Sequence, residues 1–140
     1  TLRFSVVELG EIEIPDSVTH LGQNAFYSSG ISNIVLGNGI TEIKKGTFNS
    51  CDNLKSVTIP GSVTSIGEEA FYGCNSLTGV EIPDSVVNID DYAFKYCSSL
   101  TSVEIPDSVT SIGNYAFSGT ALYNDSSNWV NGVLYIGNHC

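Results

Sequence analysis

Three cysteines stand 23 residues apart, at Cys51, Cys74 and Cys97. This equal spacing places one thiol in each of three successive copies of a repeated unit, and equivalent residues lie about 5 Å apart when neighbouring copies pair as strands. Two interpretations follow: the thiols are small buried side chains, or two neighbours form a disulfide. Because three thiols in a column leave one unpaired, we favour buried thiols, and the cysteines do not decide the redox compartment.

Carboxylates also recur at one position of the unit. Asp16, Asp84 and Asp107 follow a proline in the same predicted turn, and carboxylates of adjacent copies that lie about 5 Å apart are potential Ca²⁺ ligands. The alternative is that each Asp closes its own turn by accepting a hydrogen bond from a backbone N–H. The sequence has no dense Asp-x-Asp-x-Asp pattern, so we predict neither a metal site nor a cofactor.

Histidine offers little for catalysis. The chain has two, His20 and His139, and His20 stands where other copies have Ser65, Asn88 and Ser111. We therefore interpret it as an exposed substitution. A nucleophile with its base needs a third group that converges from another element, whereas tandem copies spread equivalent residues along a line. The sequence predicts no catalytic residues and no enzyme.

The elements that position these residues are copies of one short unit. Its most regular mark is a phenylalanine that recurs at intervals of 22, 23, 23 and 23 residues, at Phe26, Phe48, Phe71, Phe94 and Phe117. A fixed period in this range is typical of solenoids, whose units bury their apolar faces only by stacking on one another. We predict that these five rings, together with Cys51, Cys74 and Cys97, form the structural core.

Each unit contains two apolar patches that are typical of short strands. In one copy they are Leu54-x-x-Val57-x-Ile59 and Val63-x-x-Ile66. Alternation in the first patch points Val and Ile inward and the residues between them outward. Pro-Asp-Ser or Pro-Gly-Ser separates the patches and predicts a reversal of the chain, because proline presets φ and Asp or Gly favours the turn that follows.

The combined pattern Leu-x-x-Val-x-Ile-Pro-x-Ser-Val-x-x-Ile-Gly-x-x-Ala-Phe-x-x-Cys resembles the BspA-like, or treponemal-type, leucine-rich repeats of bacterial and protist surface proteins. The match runs from about Leu9 to Leu122, and its clearest copies begin at Lys55. The resemblance implies a mainly β, right-handed curved solenoid with a parallel concave sheet and with short strands and turns on the convex side. It also implies secretion or display at the cell surface, and adhesion to host or microbial proteins.

The repeats do not fill the whole chain. We predict tandem repeats over residues 1–122, about five units of 22–23 residues preceded by a partial unit, and an irregular spacer over 123–140 with a hairpin at Asn131-Gly132. The spacer is similar to those that the family inserts between blocks of repeats. Because the chain lacks methionine and its last segment reads as the start of further structure, we expect it to be a segment of a longer protein.

Charge and hydropathy narrow the partners. Fifteen acidic and five basic residues give a net charge of −10, which repels polyphosphates and argues against nucleic acid as a partner. No apolar stretch approaches the ~20 residues of a membrane-spanning helix, so we predict no direct insertion into a membrane.

The outward residues of the first patches form the candidate binding surface. On the concave sheet that the resemblance implies, they make a shallow row that we call the polar strip: Glu13, Asn33, Ser56, Thr58, Glu81, Ser102 and Glu104. Such a strip suits an extracellular protein or glycan on a host or neighbouring cell, although outward strand positions are polar in many sheets. The competing hypothesis is a passive stalk that spaces other domains of a larger surface protein.

Tyrosines flank the phenylalanines, at Tyr27, Tyr72, Tyr92, Tyr96 and Tyr115. Tyrosine is enriched at interfaces, so the row is a second possible contact surface. The alternative, which we favour from the sequence, is that these rings cover the ends of the phenylalanine stack. A binding block should carry a cluster of exposed aromatic or charged residues that breaks the repeat, whereas a stalk should be uniform.

Overall fold

A computed structural model describes residues 11–136. The partial unit predicted before the first repeat, and His139, lie outside the described residues. In chain order the strands are β1 (Glu11–Glu13), β2 (Asn33–Val35), β3 (Glu42–Ile43), β4 (Ser56–Thr58), β5 (Ser65–Ile66), β6 (Gly79–Glu81), β7 (Asn88–Ile89), β8 (Ser102–Glu104), β9 (Ser111–Ile112), β10 (Trp129–Val130) and β11 (Val133–Leu134). A one-turn helix, α1 (Ala121–Asn124), and a 3₁₀ turn, Ser126–Asn128, precede β10.

The strands of the repeats form two parallel columns. The first column contains β1-β2-β4 and β6-β8, and the second contains β3-β5-β7-β9. Partners in register are equivalent residues of neighbouring repeats, so that Ile34 lies beside Ile12 on one side and Val57 on the other. In the first column, the ladder of backbone hydrogen bonds is interrupted between β4 and β6. The same two repeats are nevertheless paired in the second column, through β5 and β7. The predicted fold class, a β-solenoid with parallel sheets and little helix, is confirmed.

The predicted reversal between the two columns is a hydrogen-bonded turn. The Val63 N–H donates to the Pro60 carbonyl at 3.1 Å, and the same bond recurs from Val86 to Pro83 at 3.0 Å. The serine of the turn also ties each repeat to the preceding one, because Ser85 Oγ donates to the Val63 carbonyl at 2.6 Å. The Pro-x-Ser sequence therefore makes both the turn and a contact between repeats.

A third ladder runs through the segments that carry the phenylalanines. In one copy the N–H groups of Glu69, Phe71 and Gly73 donate to carbonyls of the next repeat at 2.8–3.0 Å. Glu69 and Gly73, two residues before and two after Phe71, have positive φ, 55° and 68°. Because of this, every second N–H group in the segment points to the next repeat and can donate to it. This alternation makes the segment a compact bend that still pairs with its neighbours.

The phenylalanine rings stack along the middle of the solenoid. Centroids of successive rings lie 5.5, 5.2, 5.0 and 5.3 Å apart, with interplanar angles of 2–17°. Phe48, Phe71 and Phe94 are fully buried, and Phe26 and Phe117 are nearly so. The core is therefore a column with the Val, Ile and Leu side chains of both strand columns packed around it.

A short hairpin follows the last repeat. Strands β10 and β11 pair antiparallel, and the turn between them has positive φ at Asn131 and Gly132. The Trp129 Nε1–H donates to the Tyr123 carbonyl at 2.7 Å. Ile136 is buried and Leu134 packs against the core, so the hairpin lies on the end of the stack.

Candidate functional site

The polar strip lies along one side of the first strand column. Its members are exposed except for Asn33, which is half-buried. Ser56 Oγ donates a hydrogen bond to Asn33 Oδ1 at 2.7 Å, and Glu81 lies directly beside Glu104 in the parallel pair β6-β8. The structure therefore brings these side chains into one row with like charges side by side at one end.

The acidic end of the strip continues into the turns. Glu81, Asp84, Glu104 and Asp107 contribute to the lining of an open groove of about 580 Å³. Within residues 11–136 no three His, Cys, Asp or Glu side chains are close enough together to hold a metal ion. The sequence suggested that Asp16 closes its own turn, but its Oδ1 instead accepts a hydrogen bond from the N–H of Asn38, in the turn of the next repeat, at 2.8 Å.

The repeated cysteines are free, buried thiols. Each thiol also donates a hydrogen bond to the phenylalanine carbonyl of the preceding repeat, so the cysteines are more than apolar fillers. Cys51 Sγ lies 2.9 Å from the Phe26 carbonyl oxygen, and Cys74 and Cys97 bond the carbonyls of Phe48 and Phe71 in the same way. Burial raises the pKa of Cys51 from 9.0 to about 12. The pKa of Cys74 is also raised, chiefly by a hydrogen bond with Cys97 and secondly by burial. Cys51 and Cys74 therefore stay protonated in the interior of the solenoid.

His20 does not belong to a converging catalytic group. It is exposed, and its Nδ1 lies 2.8 Å from Oγ1 of the adjacent Thr19. Over residues 11–136 no acidic side chain is hydrogen-bonded to its ring.

Five residues of the last three repeats form what we call the tyrosine cluster: Tyr72, Tyr92, Lys95, Tyr96 and Tyr115. The Lys95 ammonium lies 5.1, 4.9 and 5.3 Å from the ring centroids of Tyr92, Tyr96 and Tyr115. Tyr92 stacks on Tyr115 at 5.8 Å and 4°, and Tyr96 meets Tyr72 edge to face at 5.4 Å and 82°. The cation and the four rings thus form one continuous patch beside the phenylalanine column.

The cluster remains open to solvent. Tyr115 is 64% exposed and Tyr96 is 49% exposed, which argues against the interpretation that these tyrosines chiefly cover the phenylalanine stack. Sequence reasoning noted the row but did not find the cluster. The available signal was a change of residue type at fixed repeat positions, because the position of Tyr92 and Tyr115 is held by Asn24 and Gly46 in the first two repeats.

A cavity adjoins the cluster at the end of the solenoid. It has a volume of about 470 Å³ and is lined by apolar residues of the last repeat and of the hairpin, among them Tyr115, Tyr123 and Trp129. The Tyr123 and Trp129 rings meet edge to face at 5.0 Å. Aromatic surface therefore extends from the tyrosine cluster onto the hairpin.

Comparison with known proteins gives a consistent assignment. The profile described as the BspA type leucine rich repeat region matches the chain in six copies, over residues 3–101 and 64–140. A search of curated proteins finds no significant match. Along residues 11–136 no helix combines the length and the apolar character that crossing a membrane would require.

Solved structures resemble this one. A T. pallidum leucine-rich repeat protein is 30% identical with a TM-score of 0.68, and covers 76% of this chain. A leucine-rich cell surface protein from Faecalibacterium prausnitzii is 33% identical over 82% of this chain, with a TM-score of 0.60. A Bacteroides capillosus leucine-rich repeat protein is 26% identical, with 73% of this chain and 78% of its own covered and a TM-score of 0.61. The chain spans 47% of the T. pallidum protein and 37% of the F. prausnitzii protein.

Proposed function

The chain belongs to the BspA-type leucine-rich repeat family, and on this premise we propose that it is a non-catalytic binding module displayed at a cell surface, where it recognises a protein or glycan on a host or neighbouring cell. The F. prausnitzii relative, described as a leucine-rich cell surface protein, supports the location. The net charge of −10 suits an exposed repeat surface that must stay soluble, and it disfavours nucleic acid as the partner.

The tyrosine cluster is the observation that carries this proposal over a passive stalk. A stalk needs only the three ladders and the buried column, which every repeat already contributes. Yet the later repeats replace the small or polar residues of the earlier ones with exposed rings. Exposed aromatic residues that are held rigidly supply contact area at a low cost in entropy and are common at the centres of interfaces.

The polar strip is the second proposed contact surface. Its side chains are short near the middle, at Ser56 and Thr58, and acidic at Glu81 and Glu104. A shallow row of this kind supplies hydrogen bonds and favours partners with basic groups at one end. We assign it a supporting role, because it lacks the aromatic anchors that dominate binding energies.

A cell-binding assay tests the function. The chain, tetramerised to raise avidity, is applied to epithelial cells, to bacteria and to immobilised matrix proteins. We expect the chain to bind at least one of these. We also expect the affinity to fall at least tenfold in one of two variants. The cluster variant combines Tyr96→Ser with Tyr115→Asn, and the strip variant combines Glu81→Lys, Ser102→Lys and Glu104→Lys. Tyr27→Asn is the matched control, since Tyr27 is exposed but lies outside the cluster. Absence of binding to every surface would favour the stalk, whereas equal binding by all variants would place the binding site outside both the cluster and the strip.

A further inference from the structure

The backbone has positive φ at the same two positions of every repeat, and in the tyrosine cluster bulky side chains occupy them. Tyr92, Tyr96 and Tyr115 have φ of 59°, 61° and 56°, a region that suits Gly and Asn and costs free energy for a bulky side chain. The ladder requires positive φ at these positions, but it does not require tyrosine, because the first repeat uses Asn24 and Ser28 there. Strain that the fold does not need is a physical reason to look for a function.

The rings are also held in place in the absence of a ligand. Tyr96 lies so close to Gly119, at φ +73°, that a Cβ on this glycine would be 2.6 Å from the Tyr96 ring. Tyr92 and Tyr115 are parallel within 4°. Since Tyr96 packs against Gly119 and Tyr115 packs against Tyr92, a ligand that binds to these rings immobilises side chains that already have neighbours, which lowers a main cost of association.

Charge excludes two classes of ligand. The Lys95 ammonium lies 4.9–5.3 Å from the centroids of three rings, and over residues 11–136 no carboxylate forms an ion pair with it, so a cationic ligand would meet an unneutralised like charge. A polyanion would approach against the net charge of −10. A neutral ligand meets neither of these two penalties.

Size and shape narrow the class further. A stable interface between folded proteins buries roughly 800 Å² per partner, so it would have to include residues beyond these four partly exposed rings. The adjoining cavity of about 470 Å³, by contrast, is within the range of small-ligand sites. Its walls are mostly apolar and aromatic, and the Lys95 ammonium lies 5.3 Å from the ring centroid of Tyr115, which is one of the lining residues. These features match a ligand that has flat apolar faces and many hydroxyl groups.

We propose that the tyrosine cluster and the cavity beside Tyr115 bind a neutral glycan. A pyranose ring presents its C–H face to Tyr115 within the cavity, the following residue of the glycan packs on Tyr96, and the Lys95 ammonium donates hydrogen bonds to sugar oxygens, for which its three N–H donors are suited. This inference rests on the proposed function, because it assigns a ligand class to the same binding module.

A glycan array that carries neutral, sialylated and sulfated glycans tests the inference. We expect binding confined to neutral glycans, followed by a saturable change in the fluorescence of Trp129, the single tryptophan, when the bound oligosaccharide is titrated. Tyr115→Asn and Tyr96→Ser, which copy Asn24 and Ser28 of the first repeat, should each raise the Kd at least tenfold. Tyr27→Asn, which copies Asn49, should leave it unchanged, and circular dichroism with thermal unfolding verifies that every variant is folded.

Several results would overturn the glycan assignment. The first is a preference for sialylated or sulfated glycans, and the second is an absence of binding to every neutral glycan on the array. The third is an unchanged Kd in folded Tyr115→Asn and Tyr96→Ser variants. Cells treated with periodate, which destroys sugar diols, separate this failure from failure of the proposed function. Binding that survives periodate but not protease treatment would retain a binding module whose partner is a protein and would refute the glycan.

Discussion

At the scale of single residues, the cysteines illustrate what a repeat position demands. Each thiol must be small enough to lie in the core and must also satisfy a carbonyl that the bend of a preceding repeat leaves there, as Cys51 does for Phe26. A buried carbonyl without a partner costs about 1–3 kcal/mol. The thiol meets both requirements, and its burial keeps it neutral.

The raised pKa of Cys51 predicts a loss of stability in alkaline solution. Because the pKa is about 12 in the folded protein against an ordinary value of 9.0, the contribution of this thiol is complete below pH 9 and is lost as the pH rises from 9 towards 12. Urea unfolding at pH 8 and at pH 10 should show wild type losing about 1.4 kcal/mol more than Cys51→Ala over that interval. Both proteins have the same tyrosines and lysines, so the effects of those groups cancel in the comparison. Equal losses in wild type and in Cys51→Ala would contradict the assignment.

At the scale of elements, parallel pairing in register places equivalent residues side by side. This is favourable for Ile34 beside Val57, but it aligns Glu81 with Glu104 on the outer side of β6 and β8. Like charges that face each other across strands are destabilising. The polar strip therefore reduces the stability of its own sheet at one end.

The variant Glu104→Thr, which copies Thr58, tests this account. Removal of the like-charge pair should raise the free energy of unfolding by about 0.2–1 kcal/mol, measured by urea unfolding at low ionic strength. In 0.5 M NaCl the gain should shrink, because salt screens exposed charges. Glu13→Thr is the matched control, since Glu13 lies beside Val35 and has no acidic neighbour in the strand pair. A similar gain in both variants would refute the pairing argument.

At the scale of the whole molecule, each repeat contacts only its neighbours, so stability is distributed along one axis. Phe71 has a ring stacked on either side, whereas Phe117, at the end of the column, stacks on Phe94 alone. A residue in the middle therefore couples the two halves of the stack, and one at the end couples only the last repeat.

Truncation of the central ring should cost more than truncation of the last one. We expect Phe71→Ala to lower the free energy of unfolding by about 3–5 kcal/mol, because it leaves a cavity in a fully buried column, and Phe117→Ala to lower it by less. Urea unfolding followed by circular dichroism measures both. Equal losses would mean that stability does not depend on position in the stack.

Much of the architecture was predictable because its signals are local and repeated. The phenylalanine period, the alternation around Val57 and the Pro-x-Ser turns each depend on a few neighbouring residues, and five copies reinforce one another. The tyrosine cluster escaped prediction for the opposite reason. Whether Lys95 lies over Tyr115, 20 residues further on, depends on where the neighbouring repeat places its ring.

The sequence by itself determined the solenoid and its buried rings, because a unit of 22–23 residues that cannot bury its own apolar face has to stack on its copies. Only the tertiary structure decided which surface departs from uniformity. Positive φ at Tyr92, Tyr96 and Tyr115 follows from the hydrogen bonds of the third ladder, and it directs rings from different repeats onto one face. Contacts between side chains of stacked repeats arise from that packing and leave no pattern within a single copy.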